Sequence, residues 1–458
     1  MANFVSPNEI RSRFSALMSA MYQKEVPLYG DLIDLVSDVN KTVLSQQPAI
    51  KAQLESTGEL PRLDLERHGA IRLGTAQELF NMRRIFAVMG MFPVGYYDLA
   101  PAGVPVHSTA FRAIDADSLN QSPFRVFTSL LRLELIDDEA LRETAANILS
   151  KRQIFTDKAL TLTSLSEQQG GLTEEQAEEF VNEVLETFRW HTEAPVSKSV
   201  YEALHNQHRL IADVVAFKGP HINHLTPRTL DIDAVQEGMA ARNIPPKEII
   251  EGPPRRQCPI LLRQTSFKAL EEQVSFVDSN TKELGSHTAR FGEIEQRGVA
   301  LTPKGRTLYD QLLNRTRQLT KEQGVSQDPV GYMAIHQESF KDFPDSYAEL
   351  QAQGLAYFYY FPKAGASVDK PVSEQDIPKL LQQGLIEIEP IVYEDFLPVS
   401  AAGIFQSNLG GATQKTYDEV SNKKAFEQAL GASVYDELAL YAQIQQSSIE
   451  ACLAALNH

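Results

Sequence analysis

"RHGAIRL", residues 67 to 73, is strand-like, and its place at the head of a repeated pattern sets the fold. A helix pattern, TAQELFNMRRIFAVM, comes next, then three β-rich segments: PVGYYDLA, VPVHSTAFRAI and FRVFTSLLRLELI. The order is βαβββ. It returns from residue 216 in GPHINHLTPRTLDI, the helix pattern DAVQEGMAARN, a poorly defined second strand around EIIEGPP, then CPILLRQTSFKALEE and HTARFGEIEQRGVAL. Spacing makes this an internal repeat. TAFRAI, residues 109–114, matches TSFKAL, residues 265–270, in kind at every position. Each Phe, 111 and 267, lies 43 residues after a histidine, His68 and His224, and each histidine is followed four residues later by an arginine, Arg72 and Arg228.

Around this repeat the chain reads as α+β, with tandem βαβββ modules forming a cupped mixed sheet. Residues 1–62 form a helical N-terminal segment, 63–137 the first module, and 138–215 a helical insert centred on TEEQAEEFVNEVLETFRW. The second module spans 216–303. A C-terminal α/β region, 304–458, completes the pocket, with YAELQAQGLAYFYYF and LIEIEPIVYEDFLPV as helix or strand feeding an edge of the sheet.

A chain of 458 residues, 43% apolar and 22% charged, reads as an ordinary globular protein. The net charge of -17 argues against nucleic-acid or anionic-membrane partners, which need basic patches. Two cysteines, Cys258 and Cys452, are too few for a disulfide framework or a thiolate zinc site. The N-terminus has no uninterrupted apolar signal region, and the longest uncharged run, IFAVMGMFPVGYY (85–97), is too short to span a bilayer. A cytoplasmic location is expected. No P-loop, GxGxxG or GxSxG pattern stands out.

The chemistry concentrates on a few residues. Even separations put His68 with Arg72, and His224 with Arg228, on common strand faces. Glu293 and Glu295, in RFGEIEQRG (290–298), share a face about 7 Å apart, and two buried carboxylates there need compensation. Two histidines brought together across a pseudo-twofold axis, plus one of these glutamates, give the ligand set that binds Fe(II) and keeps coordination positions open. An all-oxygen set would favour Mg or Ca, and a Cys-rich one structural Zn. His107 and His287 lie on β segments near the same cavity. His205 and His208 read as solvated, and His221, three residues before His224, should face away. A guanidinium grips a carboxylate with two hydrogen bonds, so Arg72 and Arg228 are candidates for substrate contact, with structural ion pairs as the bland reading of both.

The tandem modules with His, His and Glu resemble the vicinal oxygen chelate fold, and FGEIEQRG is similar to the metal-binding strand of 4-hydroxyphenylpyruvate dioxygenases. In that pattern Glu293 takes the ligand position, Gln296 and Arg297 match, and Glu295 departs from it. LERHGAIRLGT, FKGPHINHLTPRTLDID, HTARFGEIEQRGVALTPKGR and FLPVSAAGIF give a wider resemblance, to the 2-oxoadipate dioxygenase/decarboxylase family. That resemblance implies Fe(II)-dependent conversion of 2-oxoadipate and O2 to 2-hydroxyglutarate and CO2, a step of lysine breakdown. It implies His68, His224 and Glu293 as metal ligands, Arg72 on a substrate carboxylate, and Val399 and Ser400 closing the pocket. Another divalent metal such as Zn, Ni or Mg can occupy such a site in purified protein. Glu295 becomes a partner for Arg297 or Arg228 that orients groups around the metal.

Two other functions are compatible with the sequence. One is a glyoxalase-like, metal-dependent isomerase or lyase, which would want a fourth protein ligand; Glu134 is the candidate. The other is a non-catalytic small-molecule binding protein. The partners expected are a small 2-oxo acid and O2, with no nucleic acid and no membrane; no oligomeric state is read from the sequence.

Overall fold

The computed structural model describes residues 3–278, 281–325, 328–397 and 419–457. The first βαβββ unit consists of β1 (Arg67–Leu73), the helix Ala76–Val88, β2 (Phe92–Asp98), β3 (Val106–Arg112) and β4 (Arg125–Leu131). Thr75 and Glu78 form a reciprocal capping box that starts the helix where TAQE predicts it. After β5 (Glu193–Ala194) in the helical insert, the second unit runs through β6 (His224–Pro227), the helix Ile232–Ala241, β7 (Leu262–Ser266), β8 (Glu271–Asp278), β9 (Thr281–Thr288) and β10 (Phe291–Arg297). Its second strand is reduced to isolated bridges, Pro246 to Phe267 and Glu251 to Gln264. Pro245, Pro246, Pro253 and Pro254 lack the N–H groups a ladder needs.

Seven strands form one sheet in the order β2-β3-β4-β1-β6-β10-β7. In each unit the first strand pairs in parallel with the last, β1 with β4 and β6 with β10. The units join at the centre, where β1 and β6 run antiparallel with His68 opposite Thr226. That pairing generates the pseudo-twofold relation and sets the two histidines diagonally across one strand boundary. Gly69 permits the approach: a Cβ there would stand 2.9 Å from the His224 carbonyl oxygen and 2.5 Å from the Ile222 side chain.

The alternation in β1 sorts its residues by face. Ile71 and Leu73 join a large apolar core with Phe14, Leu32 and Leu79 from the helices that cover the outer face. Ala70 points into the cup, where it packs with Tyr97, Phe127 and Phe396. The 138–215 segment carries five longer helices, Glu139–Ser150, Asp157–Gln169, Glu174–Leu185, Lys198–Gln207 and Arg209–Val215. A hairpin of β8 and β9 interrupts the second unit and pairs with β5 in a separate three-stranded sheet.

Towards the C-terminus, β11 (Phe358–Pro362) and β12 (Ile386–Pro390) pair with each other. They do not extend the main sheet as the sequence suggests. Their apolar faces instead build a second core with the helices Pro303–Glu322 and Glu437–Leu456, through Tyr309, Phe358, Tyr441 and Leu453. Among the described residues no helix is long and apolar enough to cross a membrane.

Candidate metal centre

His68, His224 and Glu293 converge in the cup, with one potential ligand atom from each lying within 4.8 Å of the others. His68 Nε2 is 3.1 Å and His224 Nε2 3.7 Å from Glu293 Oε1. The side chains of all three are 0–1% exposed, so their unmet polar atoms are informative. Among the described residues Glu293 Oε2 and both ring nitrogens of His224 have no hydrogen-bond partner, an arrangement that costs free energy unless a ligand completes it. Burial pushes the His224 imidazolium down to about 4, which leaves the neutral, metal-binding form at neutral pH. Burial pushes the Glu293 carboxyl up, but His224 and His68 outweigh it and hold the group below its usual range. Two imidazoles and one carboxylate, buried and with no competing donors on the open atoms among the described residues, fit a divalent transition metal. The carboxylate is aimed by Gln264 Nε2 and Thr226 Oγ1, which donate to Glu293 Oε1 at 2.8 and 3.0 Å.

Glu295 shares the buried face with Glu293, and His68 lies between them. His68 Nδ1 is 2.9 Å from Glu295 Oε2, at an angle poorer than a straight hydrogen bond. Burial lowers the His68 pKa, yet Glu295 and Glu293 together outweigh it and raise the group. Arg297 donates to both Glu295 oxygens, Nε to Oε1 at 2.8 Å and Nη2 to Oε2 at 2.9 Å. Burial would raise Glu295, but Arg297 and then His68 hold it at about 2. This places a carboxylate behind a candidate metal-ligating ring, the kind of contact that orients such a ring.

Arg297 opens onto a buried ion network. Arg125 pairs with Glu66 at 2.8 Å and with Glu394, and Arg62 reaches Glu394 at 2.8 Å. Arg228 belongs here too: its Nη1 contacts Glu59 at 2.7 Å and Glu66 at 3.2 Å. The structural ion pair is therefore the observed arrangement for Arg228, although its repeat mate faces the cup. The alternation persists through Arg228, which bridges in parallel to Glu295, but β6 runs antiparallel to β1 with Arg67 opposite Pro227, so Arg228 comes beside Glu66 at the opposite end of the face from Arg72. A cleft of roughly 560 Å³ beside Arg228 and Arg255 is lined by none of the three candidate ligands.

Arg72 lies on the His68 face of β1, and its Nη1 donates to Asp213 Oδ2 at 2.6 Å. His287 and His221 also reach Asp213, at 2.9 and 3.2 Å, and so sit beside Arg72 rather than among the ligands. His221 precedes the strand, so strand parity does not govern it. His107 contacts Tyr96, His208 caps the helix Arg209–Val215, and His205 is exposed. Gln296 faces outward and donates to the Leu230 carbonyl at 2.9 Å. Val399 and Ser400 lie outside the described residues.

Glu134 sits beyond β4 in the short turn of helix Leu133–Leu135, 63% exposed and paired with Arg132. It is no fourth ligand. By register, His68 opposes Arg125 and His224 opposes Phe291, so the counterpart of Glu293 in the first unit is Phe127. Phe127 packs on Phe396 at 5.3 Å, and Phe396 lies edge-on to the His68 ring at 4.8 Å. Phe291 covers His224 at 5.0 Å. The cup is therefore walled by aromatic rings where the repeat would put a second acid. Sequence reasoning missed Thr226, Gln264 and Phe396. Thr226 is recoverable from its even spacing to His224. Gln264 becomes visible only when β7 is paired with β10.

Residues 14–408 match a family model described as 2-oxoadipate dioxygenase/decarboxylase. Relatives carrying that name include one from Pseudomonas putida, 61% identical over 457 residues (99% of this chain and 98% of the relative), and one from Escherichia coli, 57% identical over 454 residues (99% of each). A crystal structure of the hydroxyglutarate synthase from Pseudomonas putida in complex with 2-oxoadipate superposes with a TM-score of 0.92 at 59% identity, covering 100% of both chains.

Proposed function

The chain belongs to the 2-oxoadipate dioxygenase/decarboxylase family, and on that premise we propose that it converts 2-oxoadipate and O2 to 2-hydroxyglutarate and CO2, with iron(II) held by His68, His224 and Glu293. The observation that carries the reading is the convergence of three buried donors whose open atoms have no partner among the described residues, in a chain 61% identical to a relative of that name. Both atoms of O2 end in the products, so the reaction balances without a further reductant.

Iron(II) bound there would supply the redox chemistry with O2 that side chains lack. This chain's residues do the rest. His224 presents a neutral imidazole, Glu293 a carboxylate held by Gln264 and Thr226, and His68 a ring held by Glu295. Phe127, Phe291 and Phe396 exclude water from the cup. Arg72 grips the distal carboxylate of the substrate and so fixes which carbon faces the ligand set. A guanidinium has five donors, so its contact with Asp213 is compatible with that grip. In this reading the enzyme works in the cytoplasm.

Anaerobic reconstitution with Fe(II), then oxygen-electrode traces with 2-oxoadipate and its shorter and longer homologues, tests the proposal. Stoichiometric O2 uptake and CO2 release are expected, and Zn(II), Ni(II) or Mg(II) should not support them. Metal-dependent turnover without O2 uptake would instead favour an isomerase or lyase.

A further inference from the structure

Asp213 lies on the helix Arg209–Val215 of the insert between the two modules, 6% exposed. Four side chains converge on its carboxylate. Arg72 Nη1 and Asn223 Nδ2 approach Oδ2 at 2.6 and 3.5 Å, while His287 Nε2 and His221 Nε2 approach Oδ1 at 2.9 and 3.2 Å. The Tyr201 hydroxyl is 2.9 Å from His287 Nδ1. If that hydroxyl donates, His287 Nε2 carries the proton and donates to Asp213. The chain of contacts therefore runs Tyr201, His287, Asp213, Arg72. It draws on the insert, on the β8–β9 hairpin that carries His287, and on the segment that leads into β6. Trp190 stacks parallel to His287 and edge-on to His221, which limits the freedom of both rings. Burial would raise the Asp213 carboxyl, but Arg72, His221 and His287 hold it well below its usual range.

We propose that Asp213 is a positioning residue: held by His287 and His221, it fixes the Arg72 guanidinium at one distance from the His68–His224–Glu293 cluster and thereby sets the chain length of the dicarboxylic substrate. The proposal rests on the reading that Arg72 binds the distal carboxylate. An arginine side chain has several rotatable bonds and could follow carboxylates of different reach. Tied at Nη1 to a buried, fourfold-held carboxylate, its fork stays at one place along the cup. One methylene of substrate length then separates a seated carboxylate from a displaced one, and displacement of about an ångström suffices for a large loss of rate.

The test compares kcat/KM for 2-oxoadipate, for 2-oxoglutarate (one methylene shorter) and for 2-oxohexanoate (no distal carboxylate), using Fe(II)-loaded full-length protein. Arg72→Ala should abolish the preference for 2-oxoadipate over 2-oxohexanoate. Asp213→Asn keeps the cation, so it should retain that preference while losing about tenfold or more of the preference for 2-oxoadipate over 2-oxoglutarate, with metal affinity unchanged. Asp213→Glu should restore part of it. Tyr201→Phe, which leaves the carboxylate in place, should shift the chain-length ratio in the same direction by a smaller factor, and it decides the matter if Asp213→Asn does not fold. Unchanged chain-length selectivity in a folded Asp213→Asn, or an equal loss on all three substrates, overturns the positioning role and leaves Arg72 as the carboxylate ligand. Retention of the dicarboxylate preference in Arg72→Ala overturns the Arg72 reading, and this inference with it.

Discussion

Replacing Glu295 with Gln isolates the residue behind the ligand set. The side chain is completely buried, takes both Nε and Nη2 of Arg297 at 2.8 and 2.9 Å, and lies 2.9 Å from His68 Nδ1. Glutamine keeps the shape but removes the charge and turns one oxygen into a donor, which must then face either Arg297 or His68. Arg297 would keep the Tyr393 and Asp395 carbonyls at 2.6 and 3.1 Å and the more distant Glu66 at 3.5 Å. Breaking one partner from a buried ion pair costs about 3–5 kcal/mol; the carbonyls that remain on Arg297 place the expected loss at the lower end. The effect on the metal is separate. Loss of a carboxylate behind a ligating histidine lowers affinity by about 10- to 100-fold, or about 1.4–2.7 kcal/mol. Denaturant unfolding of the metal-free protein measures the first quantity. Anaerobic titration with Fe(II) against a competing chelator measures the second, and Glu293→Gln, expected to bind no metal in the measurable range, sets the floor. A folded Glu295→Gln with wild-type metal affinity would refute the argument that Glu295 orients His68. Wild-type affinity in Glu293→Gln would mean the wrong glutamate has been assigned.

The same geometry gives three further expected outcomes. Arg72→Ala should raise KM for 2-oxoadipate by about 10- to 100-fold, the range for a lost charge-assisted hydrogen bond, while Fe(II) affinity by chelator competition stays within about twofold; equal losses of both would contradict a role in substrate contact. Glu134→Gln should leave metal affinity and turnover unchanged, because the side chain is exposed beyond the end of β4; a drop in metal content would revive it as a ligand. Glu437 gives a pH dependence. Burial, then repulsion from Asp395, raises its carboxyl from 4.5 to about 7 in the folded protein. The folded state therefore binds the extra proton, and its stabilising effect is complete below about pH 4.5 and lost as pH rises through 7. A shift of this size corresponds to about 3 kcal/mol. Glu437→Gln should flatten the fall in stability between pH 5 and 8 in urea titrations, and an unchanged slope would exclude Glu437 as its source.

The repeat, and through it the sheet, is legible in the local sequence. Even spacing on strands and a 43-residue offset are local and additive properties, so they set His68 beside Arg72 and made His224 the mate of His68 before any packing was known. The same parity put Glu293 and Glu295 on one face. What each face meets came from packing alone. Arg72 and Arg228 are repeat mates, yet one is held in the cup by Asp213 and the other is drawn into an ion network by Glu59 and Glu66. Those partners lie 141, 169 and 162 residues away in sequence, where no periodicity reaches. Glu134 failed as a ligand because the register of β1 on β4 puts Phe127 in the position of Glu293. The two glutamates divide for the same reason: they share a face by local geometry, but only the strands and side chains packed around them give one two histidines and the other an arginine.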